Sequence, residues 1–141
     1  MSIRTAIACA AVAFTQTAHS NGLEYIMVYR CNATALNVKL VEVCLANHPK
    51  LRQTAETAFA NWNSRFGKRA SRAVQKCPAD IAQVTETAEL REKMYALISE
   101  RLGKMNNQLE TQAADTDGAF CRNALGQMGG ERGYFDAMLE K

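Results

Sequence analysis

Five basic side chains in the middle of the sequence have types and spacing that suit the binding of anions. They are Arg65, Lys68, Arg69, Arg72 and Lys76, and we call them the basic stripe. Steps of three and four residues place side chains on one side of a helix. Guanidinium and ammonium groups bind carboxylates and phosphates through charge-assisted hydrogen bonds. The stripe therefore predicts contact with acidic groups, either in this chain or on a partner.

Two interpretations of the basic stripe follow. If the helix turns back at Pro78, Arg69 comes near Glu86 and Arg65 near Glu89, and interhelical ion pairs form. Exposed pairs of this kind contribute only about 0–1 kcal/mol each to stability, so they set the register of the two helices more than they stabilise the fold. In the second interpretation, the stripe faces an acidic protein groove or an anionic lipid.

Sequence motifs of common catalytic sites are absent. The chain contains no G-x-S-x-G and no H-E-x-x-H, and its GGERG run at residues 129–133 lacks the G-K-[ST] of a phosphate-binding loop. No C-x-x-C occurs, and we interpret His48 as a capping or solvated residue. We therefore expect no enzyme, no metal site and no cofactor.

The first twenty residues have the pattern of a secretory signal peptide. Arg4 precedes an apolar core, and the small residues Ala18 and Ser20 mark a cleavage site. The apolar core is too short to span a bilayer. Cleavage leaves residues 21–141 as a single helical domain, which we expect in the periplasm or secreted. Loss of Arg4 from a net charge of +3 leaves about +2, which argues against nucleic acid as a partner.

Four cysteines remain after cleavage, and an even number in a short exported chain indicates two disulfides. A straight helix from Pro49 to Cys77 is about 42 Å long, because each residue adds 1.5 Å. Cys44 precedes that helix, so a bond from Cys44 to Cys77 would far exceed the Cα separation of about 7 Å that a disulfide allows. We favour Cys31 bonded to Cys77 and Cys44 bonded to Cys121.

The helix expected at Pro49 to Cys77 has the clearest apolar face in the sequence. Phe59, Trp62 and Phe66 fall on that face and are the expected core anchors. Pro49 suits a first helical position, and the residue before Pro78 is disfavoured in the α region, so we expect the helix to end there. Gly67 predicts a local kink or a close helix crossing.

The apolar spacing in the rest of the sequence predicts an all-α fold. Residues 23–31 fit either a strand or a helix, and an extended form would help Cys31 reach Cys77. The other expected helices cover residues 33–46, 79–109, 116–128 and 132–139, with a polar loop at residues 111–117. We predict a single-domain antiparallel helical bundle with two long central helices, stapled by two disulfides.

The segment from Cys44 to Cys77 resembles small exported helical proteins of bacteria. The resemblance is carried by Pro49, Leu51, the A-F-x-x-W of residues 58–62, Arg65 and the closing cysteine. Phe66 stands where the pattern has an asparagine. The resemblance implies a helical fold and an exported protein, and most of the proteins that share it are uncharacterised.

A small exported bundle without a catalytic motif suits a binding role. Our leading hypothesis is a module that binds another protein, for example an immunity or inhibitor protein. The alternative is an envelope structural or stress protein that binds lipid or cell-wall material. A third hypothesis is an unrecognised hydrolase assembled from carboxylates and arginines on separate helices.

Signal cleavage gives the first testable prediction. N-terminal sequencing of the exported protein is expected to begin at Asn21, or at His19 if the cut follows Ala18. An exported chain that retains Met1 would contradict the signal peptide.

Overall fold

The computed structural model describes the backbone of residues 4–139 and the side chains of residues 22–137 and 139. Over this part of the chain the residues form helices and turns without a strand, which confirms the all-α prediction. The α-helices are α1 (Arg4–Asn47), α2 (Arg52–Trp62), α3 (Lys68–Val84), α4 (Ala88–Ala113) and α5 (Ala119–Met128). The side chains of the expected signal peptide, residues 1–20, lie outside the described residues, so its cleavage stays a prediction.

Helix α1 lies at the centre of the packing, against both α3 and α4. One of its faces carries a run of buried residues at steps of three and four, which is why this stretch folds as a helix against the core. These residues are Tyr29, Ala33, Leu36, Leu40 and Cys44.

Residues 23–31 belong to α1, so the helix is the correct one of the two alternatives for this segment. Met27, Val28 and Tyr29 are all buried, and a helix lets them contact two parts of the core at once. Asn32 interrupts the helical geometry with φ −129° and ψ 21°. Its side-chain amide donates to the carbonyl of Val28 at 2.9 Å and so competes with the helical hydrogen bonds.

Two disulfides bind α1 to the rest of the fold, and both predicted pairings are confirmed. The Cα atoms of Cys31 and Cys77 lie 5.0 Å apart, and those of Cys44 and Cys121 lie 5.5 Å apart. The first bond joins α1 to α3 and the second joins α1 to α5. The central helix is therefore held covalently at two places.

Contacts along α1 show the directions of its neighbours. Cys31 bonds to Cys77 while Arg30 pairs with Asp80 at 3.3 Å, so α3 runs antiparallel to α1. Lys39 pairs with Glu110, and the ring of His48 lies 2.9 Å from the carbonyl oxygen of Ala113. Helix α4 therefore runs in the same direction as α1.

The helix expected from Pro49 to Cys77 is divided and longer than predicted. It begins with a 3-10 turn at Pro49–Leu51, and a π-helical turn at Asn63–Gly67 separates α2 from α3. This turn is the irregularity expected near Gly67. Pro78 lies inside α3, so the predicted stop is wrong. Pro78 is exposed, whereas Cys77 and Ile81 are buried, so packing and the disulfide outweigh the local preference.

The turn into the next helix lies at residues 85–87, and the expected helix at 79–109 is therefore wrong in its limits. Thr85 donates its hydroxyl to the carbonyl of Ile81 at 2.6 Å where α3 ends. Thr87 begins α4 as an N-cap, because its hydroxyl accepts a hydrogen bond from the N–H of Leu90 at 3.2 Å.

The C-terminal part differs from the prediction mainly after α5. The helix expected at 116–128 is α5, which starts at Ala119. The loop expected at 111–117 is shorter, since α4 continues to Ala113. The helix expected at 132–139 is wrong, because that region contains a single 3-10 turn at Asp136–Met138. None of the described helices is both long enough and apolar enough to cross a membrane.

The first disulfide gives a stability prediction. Cys31→Ser and Cys77→Ser are each expected to lower the free energy of unfolding by about 2–5 kcal/mol, because each removes the same cross-link from the unfolded chain. The double variant is expected to lose no more than either single variant. Urea denaturation with the Cys44–Cys121 bond intact measures all three, and additive losses would contradict this account.

Candidate functional site

The basic stripe is on the surface, on the π-helical turn and the first half of α3. All five side chains are exposed. The four residues on α3 fall within an arc of about 100° at 3.6 residues per turn. The side of α3 that packs into the protein carries the buried residues Ala70, Ala73, Cys77 and Ile81. The sequence therefore brings the positive charges together on the solvent side of one helix.

The ion pairs expected between the stripe and the next helix are wrong. Because α3 continues to Val84, Arg69 lies about 22 Å along the helix from the turn that contains Glu86. The greater length of α3 separates Arg65 from Glu89 in the same way. Glu89 instead pairs with Lys93 at 2.7 Å, one turn along α4.

The arginines of the stripe contact other groups. Arg65 donates from Nη1 to the carbonyl oxygen of Gly129 at 3.1 Å, which ties the π-helical turn to the end of α5. The guanidinium of Arg69 lies 5.9 Å from the centre of the Phe66 ring, within cation–π range. Arg72 donates from Nε to the carbonyl oxygen of Lys68 at 3.4 Å.

Four cations of the stripe have no acidic partner within the described residues: Arg65, Lys68, Arg72 and Lys76. Helix α3 is held in place beside them by the Cys31–Cys77 bond and by the Arg30–Asp80 pair. The result is a fixed group of positive charges that face solvent. Such a group attracts anions and speeds their association.

The expected core anchors lie directly before and inside the π-helical turn. Trp62 and Phe66 are buried, and Phe59 is half-buried against the same core. The rings of Phe59 and Trp62 are 5.5 Å apart between centroids. This packing fixes the end of α2, from which the basic stripe begins.

A buried polar network below the stripe was not found by sequence reasoning. Asp136 is only 2% exposed, and its Oδ1 accepts a hydrogen bond from the Tyr29 hydroxyl at 2.7 Å and from Trp62 Nε1 at 3.0 Å. The amide of Asn37 donates to the Tyr29 oxygen at 3.4 Å. A lone tryptophan in a core needs an acceptor for its N–H, and that was the available signal.

Burial and the nearby carboxylate hold Tyr29 in its neutral form. Burial raises the pKa of Tyr29 far above its usual range, and the hydrogen bond to Asp136 raises it further. The second carboxylate oxygen of Asp136 has no partner among the described residues, and neither does Oδ1 of Asn37. The network is closed to solvent, so its role is to hold the C-terminal segment on α1 and α2.

His48, the single histidine after residue 20, lies at the end of α1. Its Nε2 is 2.9 Å from the Ala113 carbonyl oxygen and 3.5 Å from a carboxylate oxygen of Asp115. The ring thereby joins the end of α1 to the end of α4. Among the described residues, no group of three or more histidine, cysteine or acidic side chains could hold a metal ion.

No protein-family model matches the chain, and no curated protein or solved structure shows significant similarity to it.

The burial of Tyr29 predicts that the protein becomes less stable at alkaline pH. Above pH of about 10 an unfolded tyrosine loses a proton that Tyr29 keeps in the folded protein. The unfolded state then binds fewer protons, so the free energy of unfolding falls as pH rises, by up to about 1.4 kcal/mol per pH unit for one group. Urea denaturation between pH 8 and pH 11 measures this slope. Tyr29→Phe is expected to make it shallower, whereas the exposed control Tyr95→Phe is expected to leave it unchanged.

Gly133 gives a second prediction about the network. Its φ is +64°, and a Cβ there would collide with the carboxylate of Asp136. Gly133→Ala is therefore expected to lower the free energy of unfolding by more than about 1 kcal/mol. Gly103→Ala is the control, because it lies in α4 with open space around it and is expected to stabilise by about 0.5–1 kcal/mol. Equal effects of the two changes on the thermal midpoint would contradict this role of Gly133.

Proposed function

We propose that this protein is an exported protein-binding module whose basic stripe meets an acidic surface on another protein. The observation that carries the proposal is the group of exposed cations on α3, of which Lys68, Arg72 and Lys76 have no acidic partner in the described residues. An anionic partner would supply the missing counter-charges and would be steered to this face.

Two features support action outside the cytosol, in the periplasm or after secretion. The N-terminal residues have the pattern of a signal peptide. Two disulfides are typical of proteins in oxidising compartments. The resemblance to small exported helical proteins of bacteria agrees with both. An immunity or inhibitor protein that binds an exported toxin or enzyme is one concrete form of this function.

The surroundings of the stripe favour a protein partner over a lipid surface. Helices that lie on membranes bury an apolar face beside their cationic residues. On α3 that apolar face already packs against the protein, where Ala70, Ala73, Cys77 and Ile81 are buried. Binding to anionic lipid would then rest on charge alone, so lipid or cell-wall material remains the alternative ligand.

We propose no catalytic step for this protein. The four cysteines of the described region are all joined in disulfides, so none is a free nucleophile. The single carboxylate at the centre of the buried network is closed to solvent. A hydrolase built from other groups is the third hypothesis, and turnover of an added substrate would support it.

A charge-reversal experiment tests the binding module. Tagged protein is used to capture partners from the native envelope, in parallel with Arg72→Glu/Lys76→Glu. The wild-type protein is expected to capture one dominant acidic partner in a stoichiometric complex, and this variant is expected to lose that partner. The matched control is Lys50→Glu/Arg52→Glu, which makes the same change in net charge at exposed residues before and at the start of α2. The control is expected to retain the partner.

The same variants distinguish the alternatives. Retention of the partner by Arg72→Glu/Lys76→Glu would contradict the role of the stripe. Binding to phosphatidylglycerol vesicles that is lost in this variant, without any protein partner, would favour the lipid alternative. Circular dichroism of each variant confirms that the helical fold is kept.

A further inference from the structure

A cleft of about 310 Å³ opens between the start of the described part of α1, helix α4 and the C-terminal segment. None of its lining residues belongs to α3 or to the basic stripe. Apolar and aromatic side chains form part of its wall, and carboxamides and phenols complete it. The side chains that matter here are those of Met105, Leu109, Phe135, Tyr25, Tyr134, Gln108 and Gln112.

The lining of this cleft is uncharged in the part of the chain that the structure describes. A charged ligand would lose hydration on entering and would find no opposite charge there. A purely apolar ligand would leave the amides and hydroxyls of the lining without partners. The cleft therefore suits a neutral ligand that carries both hydrogen-bonding groups and an apolar face.

Four side chains offer hydrogen bonds to such a ligand. Gln108 and Gln112 are exposed one turn apart on α4, and neither side-chain amide makes a hydrogen bond within the described residues. Tyr25 is 45% exposed. Tyr134 lines the same cleft as Tyr25. Burial raises the pKa of Tyr134 and the phenol of Tyr25 raises it further, so Tyr134 remains a protonated donor. Carboxamides and phenols both donate and accept.

The aromatic rings beside these groups are held in place before any ligand arrives. Tyr134 and Phe135 meet edge to face, with centroids 4.7 Å apart and planes at 87°. Phe135 also stacks on Tyr29, whose hydroxyl is bound to Asp136. A preorganised site avoids part of the entropy cost of ordering side chains on binding.

We infer that this cleft binds a neutral saccharide of one or two pyranose rings. A pyranose presents C–H groups on one face, which pack against the electron-rich face of an aromatic ring. Its hydroxyls match the donors and acceptors of the carboxamides and phenols. The volume is at the small end of the range of about 300–1,000 Å³ for ligand pockets, which suits one or two rings. This site is independent of the protein-binding function proposed for the stripe.

Ligand-observed NMR with the full oxidised protein tests the inference. The probes are N,N′-diacetylchitobiose and maltose as neutral sugars, glucuronic acid as a charged sugar, and p-cresol as a simple aromatic compound. Saturation transfer is expected to at least one neutral disaccharide and to be weaker for glucuronic acid. The contacted protons are expected to lie on one face of a sugar ring.

Substitutions at the cleft locate the binding. Tyr25→Ala and Gln112→Ala are each expected to weaken the affinity for the bound disaccharide by about tenfold, through loss of a ring face and of a carboxamide respectively. Both residues are exposed, so the fold is expected to be kept. Tyr95→Ala and Gln83→Ala remove an exposed tyrosine and an exposed glutamine outside the cleft, and are expected to leave the affinity unchanged.

Three results would overturn the inference. The first is that neither disaccharide shows saturation transfer at millimolar concentration. The second is that a disaccharide binds equally well to the wild-type protein and to both cleft variants. The third is that p-cresol binds in a manner that depends on Tyr25 while the sugars do not, which would assign the cleft to aromatic compounds.

Discussion

A single carboxylate oxygen, Oδ1 of Asp136, is the acceptor on which three parts of this fold depend. It receives the hydroxyl of Tyr29 from α1 and the indole N–H of Trp62 from the end of α2, while its own backbone belongs to the C-terminal turn. All three groups are buried, so the loss of the carboxylate would leave two donors without water or protein partners. The position of Trp62 sets the end of α2 and the start of the π-helical turn, and thereby the position of the basic stripe. Tyr29 in turn supports the Phe135 ring beside the cleft.

The central helix, α1, connects the Asp136 network to the other helices. Helix α1 contacts α3 and α4 and is bonded covalently to α3 and α5. Its interruption at Asn32 lies directly after Cys31, so the bend and the disulfide occur together. The surface helix that carries the cations is therefore attached to the central helix of the fold. Rigid attachment suits a recognition surface, since little conformational entropy is lost when a partner binds.

Local pattern was sufficient for the features that depend on helix length and apolar spacing. The all-α fold follows from the apolar face around Trp62, and the length of a helix between Cys44 and Cys77 excludes one of the three possible cysteine pairings. Local rules failed at Pro78, where burial of Cys77 and Ile81 on either side keeps α3 helical. They failed again at Asp136, whose partners Tyr29 and Trp62 are 107 and 74 residues away in the chain.

The basic stripe was visible in the sequence, but the absence of ion pairs to Glu86 and Glu89 depends on where the turn falls. The saccharide cleft combines residues from both ends of the described chain, and no local spacing indicates it.

The order of the cysteines along the chain has a consequence for survival among proteases. The bond from Cys31 to Cys77 and the bond from Cys44 to Cys121 overlap, because Cys44 lies inside the first loop and Cys121 lies beyond it. Any single cut between Cys31 and Cys121 is therefore spanned by at least one bond, and a cut between Cys44 and Cys77 is spanned by both. A nicked molecule stays in one covalent piece, so its fragments stay close to each other. This arrangement lets a small protein tolerate a broken backbone.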